Sequence, residues 1–182
     1  MTQYLHEYYP SLYPSHLAVQ INKLLAQLHE INYFSLTYTR RPDRASDMLN
    51  AVEKRLADPG ISKKYRTALE HKRKVILSTR APALDASFIK KEEDKTVAFL
   101  SQVTAVMDAS CNENAPWIFG TEVPTALDAH MIPFLARLVD VDRENMLGST
   151  SRRYLEMAME TRIWTDTMQG RRTVHGTYLP AK

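Results

Sequence analysis

Apolar residues return along this chain every three or four positions and almost nowhere every second one. The clearest stripe is Leu17, Ile21, Leu24, Leu25, Leu28 and Ile31. It lies on one helical face and predicts a helix over 16–35 with Ser15 as its cap. "TRRPDR" interrupts the pattern. Met48, Leu49, Val52 and Leu56 then predict a second helix over 44–57, which "DPG" at 58–60 stops. Ser62 caps a third, over 63–79, with Tyr65, Leu69, Val75 and Ile76 as its apolar positions. After "RAPALDAS" comes a longer helix over 87–109, carrying Phe88, Val97, Leu100, Val103, Val106 and Met107. "SCNENAP" reads as a loop. Helices over 126–139 and 151–169 complete the series, the last with a break near Thr161 and a stop at Gly170. With this period throughout, and only five glycines to serve as turns, the fold class is all-α.

The firmest local signal is "PWIFGTEVPTALDAHMIPFLARL", residues 116–138. Thr125 and Asp128 stand in Thr-x-x-Asp order before an apolar run. That spacing lets the threonine hydroxyl accept from the amide of Asp128 while the aspartate reaches back to the amide of Thr125. A carboxylate in the first turn also suits the helix dipole. Leu127, Met131, Phe134, Leu135 and Leu138 share one face, so this helix is expected to be central and buried. Pro133 removes one internal hydrogen bond, frees the carbonyl of Ala129 and predicts a kink.

Composition narrows the function classes. A length of 182 residues with 44 % apolar and 25 % charged side chains suits one compact domain with its own core, or one and a small appendage. Cys111 is the single cysteine, so no disulfide can form within the chain, and a reducing, cytoplasmic setting is expected. A formal net charge of +3 is too mild to announce nucleic acid. The basic run Lys63, Lys64, Arg66, Lys72, Arg73 and Lys74 reads as a solvated face, or as a patch for nucleic acid or an acidic partner, though without the interleaved aromatics such sites carry. No apolar run is long enough to span a membrane, and the first residues lack the pattern of a secretory leader.

Motifs exclude further chemistry. His6, His16, His29, His71, His130 and His175 are scattered, with no His-x-x-x-His or Cys-x-x-Cys, so no metal is assigned. No phosphate-cradling glycine loop and no nucleophile elbow occur. His130, within the capped helix, is either a satisfied histidine or a general acid or base. The six arginines Arg137, Arg143, Arg152, Arg153, Arg171 and Arg172 either ring an anion or pair with Asp140, Asp142 and Glu144.

The block "WIFGTEVPTALDAHMIPFLARLVD" resembles the core segment of the glutathione S-transferase C-terminal domain, in which a Trp-apolar-x-Gly loop precedes a Ser/Thr-x-x-Asp-capped helix inside an all-helical bundle. "IWTDTMQGRRT" is similar to the last helices of fungal-type members, and "YLHEYYPSLYP" to the linker leaving the family's thioredoxin-like domain. The resemblance implies a linker or domain remnant over 1–14, a bundle over 15–170 and an irregular tail over 171–182. It assigns Thr125 and Asp128 a structural capping role. The family's glutathione site lies in the thioredoxin-like half, for which this sequence has no pattern, so glutathione binding is not carried over and no cofactor is assigned, glutathione itself staying open.

In the resembled fold the first long helix borders an apolar-substrate cleft. That implies a pocket with His29, Tyr33 and His130 as proton-moving residues, His29 and Tyr33 sharing a face at i and i+4. Tyr8, Tyr9, Tyr13, Phe34 and Tyr38 would wall it around a small apolar organic molecule. The same rings would equally cover the face left bare by the missing half. That face implies a homodimer or a partner protein. Three functions stay open: a glutathione-independent isomerase, cyclase or dehydratase of specialised metabolism; a non-catalytic binding or scaffold module; and a fragment of an ordinary transferase.

Overall fold

The computed structural model describes residues 7–110 and 115–174. Among these every regular element is helical and no strand occurs. The helices are α1 (Ala18–His29), α2 (Tyr33–Tyr38), α3 (Arg44–Leu56), α4 (Lys63–Val75), α5 (Ala86–Ala109), α6 (Ala126–Asp140), α7 (Ser149–Glu160) and α8 (Arg162–Met168), with short 3-10 turns at Pro10–Leu12, Pro82–Leu84 and Glu144–Met146. None of the described helices is long and apolar enough to cross a membrane. The chain divides into two compact units, Met1–Ile31 with Asp94–His175, and Asn32–Glu93 with Gly176–Lys182.

In the first unit α1 packs against α6, α6 against α7 and α7 against α8. α1 buries Ile21, Leu24, Leu25 and Leu28, the stripe read from the sequence. α6 buries Leu127, Met131, Phe134, Leu135 and Leu138 and is the central helix that the pattern predicts. Phe99 of α5 meets Phe134 edge to face at 6.4 Å between ring centres. Each such side chain contributes roughly 1.5–3 kcal/mol by leaving water. α6 runs on through Pro133. That residue and Ala129 are both exposed, so water can reach the carbonyl that the missing N–H leaves unbonded. The expected break at Thr161 is present: its ψ of 145° ends α7, and its side chain then caps α8 by accepting from the amide of Trp164 at 3.3 Å. Left-handed Gln169 (φ 49°) and Gly170 (φ 72°) close α8.

The helix expected over 16–35 is two helices. The cap position is Leu17, with no side-chain bond, so Ser15 is not the cap. α1 stops at His29. Asn32 is extended, and its Oδ1 accepts from the amides of Phe34 and Ser35 at 3.1 and 3.3 Å, which starts α2 afresh. Asparagine offers the backbone this competing partner, and here the local bond wins over continuation of the helix.

In the second unit Val52, Leu69 and Ile76 form a core closed by Met48, Leu49, Leu56 and Ile61. Asp58 accepts from the amide of Gly60 at 2.8 Å where α3 stops, and Ser62 accepts from Tyr65 at 3.2 Å where α4 starts. α4 gives way at Ile76–Arg80 to a wider π-helical turn rather than running on as α-helix to 79. Of the basic run, Lys63, Lys64, Lys72 and Lys74 are exposed, Arg73 pairs with Glu53 at 2.6 Å, and Arg66 donates to the carbonyls of Leu56 and Asp58.

Candidate functional site

One buried carboxylate organises the first unit. Asp128 and Thr125 are both fully buried, and the capping box is formed. Asp128 Oδ2 accepts from the Thr125 amide at 2.8 Å and from its hydroxyl at 2.7 Å. Oδ1 accepts from the amide of Ile118 at 3.0 Å and from the hydroxyl of Tyr154 at 2.7 Å. Four donors on one carboxylate are what a buried charge requires. The bonds tie three segments together: the start of α6, the turn at 117–120 and the middle of α7. Burial first, and the adjacent Asp128 second, push the Tyr154 phenol far above its ordinary range.

Gly120 completes that turn. Its amide donates to the Trp117 carbonyl at 2.8 Å, and its φ is 62°. A Cβ here would collide with the carbonyl oxygen of Ser110, so both the conformation and the close approach require glycine.

The segments that Asp128 fixes form the wall of a groove of about 410 Å³. Met107, Ala115, Pro116, Trp117 and Met157 supply its apolar lining, with Asp108 and Arg153 as the charged members. Thr150 donates to Asp108 Oδ1 at 3.3 Å. The volume falls in the range of small-molecule clefts, and apolar walls are mixed with a few polar groups. A second groove of about 330 Å³ lies among Val139, Met159, Trp164 and Met168, with Arg171 and Arg172 at its edge.

His29 and His130 come together. His29 Nε2 lies 3.4 Å from His130 Nδ1, with ring centres 5.1 Å apart and planes at 67°. Burial, and then the neighbouring His29, hold the His130 imidazolium below the ordinary histidine range. Tyr33 does not share a helical face with His29, because the chain breaks between them. Neither histidine lines the Trp117 groove.

The aromatic residues divide by role. Tyr13 is buried, and its hydroxyl donates to the Ala18 carbonyl at 3.2 Å. Tyr8 and Tyr9 are exposed. Tyr33, Phe34 and Tyr38 belong to the second unit, where Phe34 and Tyr38 meet at 5.0 Å. Arg80 sits over the Phe34 ring at 4.9 Å and Arg44 over the Tyr38 ring at 5.2 Å, two cation–π contacts that occupy those faces. Trp117 and Trp164 are half-buried at the two grooves rather than enclosed in the core. Asp140 accepts from the amide and hydroxyl of Thr173, both at 2.7 Å, and Arg152 donates to the carbonyls of Glu144 and Leu147. Cys111, His6 and His175 lie outside the described residues.

Pattern reading missed Tyr154 and Ile118 as partners of Asp128, and it missed Glu92. Glu92 is buried and accepts from the Asn32 amide at 2.8 Å. The signal was available: Ile89, Glu92, Thr96, Phe99 and Val103 keep helical spacing, so the polar pair stands inside the buried stripe of α5, whereas the expected Val97 is exposed. Among the described residues no group of three or more His, Cys, Asp or Glu side chains is placed to hold a metal ion. No protein-family model, curated protein or solved structure matches this chain.

Proposed function

We propose that this chain is a helical protein of the glutathione-transferase C-terminal type that binds a small, largely apolar molecule in the groove between Trp117 and Met157. The observation that carries the reading is the construction of that groove. A fully buried, four-fold bonded aspartate holds the Trp117 turn and Tyr154 in place, and the cleft so formed has the size of a ligand site. Pre-set walls lower the ordering cost of binding. Arg153 and Asp108 offer a charged end to a ligand whose body is apolar. Glutathione has no part in this reading. An enzymatic form of it would give proton transfer for an isomerase, cyclase or dehydratase to His29 and His130. Neither lines the groove, so binding takes precedence over turnover.

Trp117 is a built-in reporter. In a Trp164→Phe background, an apolar dye should change its fluorescence saturably, and Met157→Arg should abolish the change. Mass spectrometry of the purified protein should find an apolar passenger that Met157→Arg loses. Dye binding unaffected by Met157→Arg would overturn the site, and retention on glutathione resin would overturn cofactor independence.

A further inference from the structure

We propose that His29 and His130 form a two-point site for a late first-row divalent metal ion. The proposal is independent of the Trp117 groove and rests on the geometry of the pair. At 3.4 Å the two nitrogens make a long hydrogen bond, beyond the range of about 2.7–3.2 Å usual for N–H···O. Two imidazole nitrogens that each lie about 2.0–2.1 Å from one tetrahedral ion are separated by about 3.3–3.4 Å. The ring centres, at 5.1 Å, are closer than a straight N–H···N contact of that length would hold them. That spacing is compatible with two ring nitrogens that share one tetrahedral centre.

The pair is also held in advance. His29 is the last residue of α1, His130 stands in the second turn of α6, and these helices pack together. Each histidine is chained to a buried neighbour, Leu28 at 0 % exposure and Met131 at 1 %. His29 itself is exposed and His130 half-exposed, so water can fill the remaining coordination positions. Asp128, one turn-start away, is not a third ligand, since both its oxygens are engaged. Neutral imidazole suits Zn²⁺, Ni²⁺ and Cu²⁺, with Cu²⁺ the tightest. The two residues stand 101 positions apart, so no spacing motif announces the site. A bound ion would pin the end of α1 to α6 and stabilise the first unit by mass action.

The test is Cu²⁺ binding to the full-length, tag-free chain, followed by calorimetry and electron paramagnetic resonance. One ion per chain with hyperfine structure from two nitrogens is expected. His29→Asn and His130→Asn should each weaken binding by roughly tenfold or more, and both should remove the rise in Tm that Zn²⁺ gives the wild type. Because His29 is exposed, His29→Asn decides the matter even if the His130 variant misfolds. Absence of binding, or binding that His29→Asn leaves unchanged, overturns the proposal.

Discussion

Asp128 joins three segments of the first unit through four hydrogen bonds. Replacing it by alanine strands the amides of Thr125 and Ile118 and two hydroxyls in a buried site. The expected loss exceeds about 4 kcal/mol, the range of mutations that unmake buried networks, and denaturant midpoints measure it. Tyr154→Phe removes a single bond to the carboxylate and should cost about 1.5–3 kcal/mol. The same phenol sets an alkaline limit. Its folded-state pKa is raised, so the fold favours the neutral form, and that stability is complete below the unfolded value of 10.0 and is lost as pH rises beyond it. Melting temperature followed from pH 8 upward should fall above 10.0, and Tyr154→Phe should flatten the fall. The box itself was legible because its two halves stand three positions apart. Tyr154 lies 26 positions from Asp128, and His29 lies 101 from His130. Pairings of that kind are made by helix packing, which periodicity does not encode.

Helices were legible wherever a stripe and a stop signal agreed, as at Leu56 before "DPG" and at Thr161 and Gly170. The break after His29 was not, because Ile31 extends the buried stripe across it. A capping asparagine at position 32 outweighs that continuity. Asn32→Ala removes both cap bonds and should cost about 0.5–2 kcal/mol. The loss should appear first as faster hydrogen exchange at the amides of α2, while those of α6 keep their protection. Unchanged exchange in α2 would show that its start is fixed by something other than Asn32. The π-helical turn at Ile76–Arg80 also had no periodic warning: it holds Ile76 buried in its unit's core and Arg80 over Phe34.

At the scale of the whole chain, the all-α class was readable from period and glycine count. Its division into two units was not, because α5 carries an unbroken helical pattern across the boundary at Glu93 and Asp94. The chain leaves the first unit at Ile31 and re-enters it at Asp94. Within the second unit the Asn32 amide is bonded to Glu92, and within the first the Lys95 ammonium donates to the Glu30 carbonyl at 2.9 Å. The points of departure and return are therefore laced together on either side of the junction. A polypeptide arranged in this way is expected to behave like a sentence with a parenthesis, whose enclosed clause can be struck out while the rest still parses. Splicing a short Gly-Ser bridge in place of residues 32–93 should leave a shortened protein that melts cooperatively and keeps its Cu²⁺ affinity, since a short loop costs little closure entropy. A non-cooperative melt would reveal that the parenthesis props up the main clause.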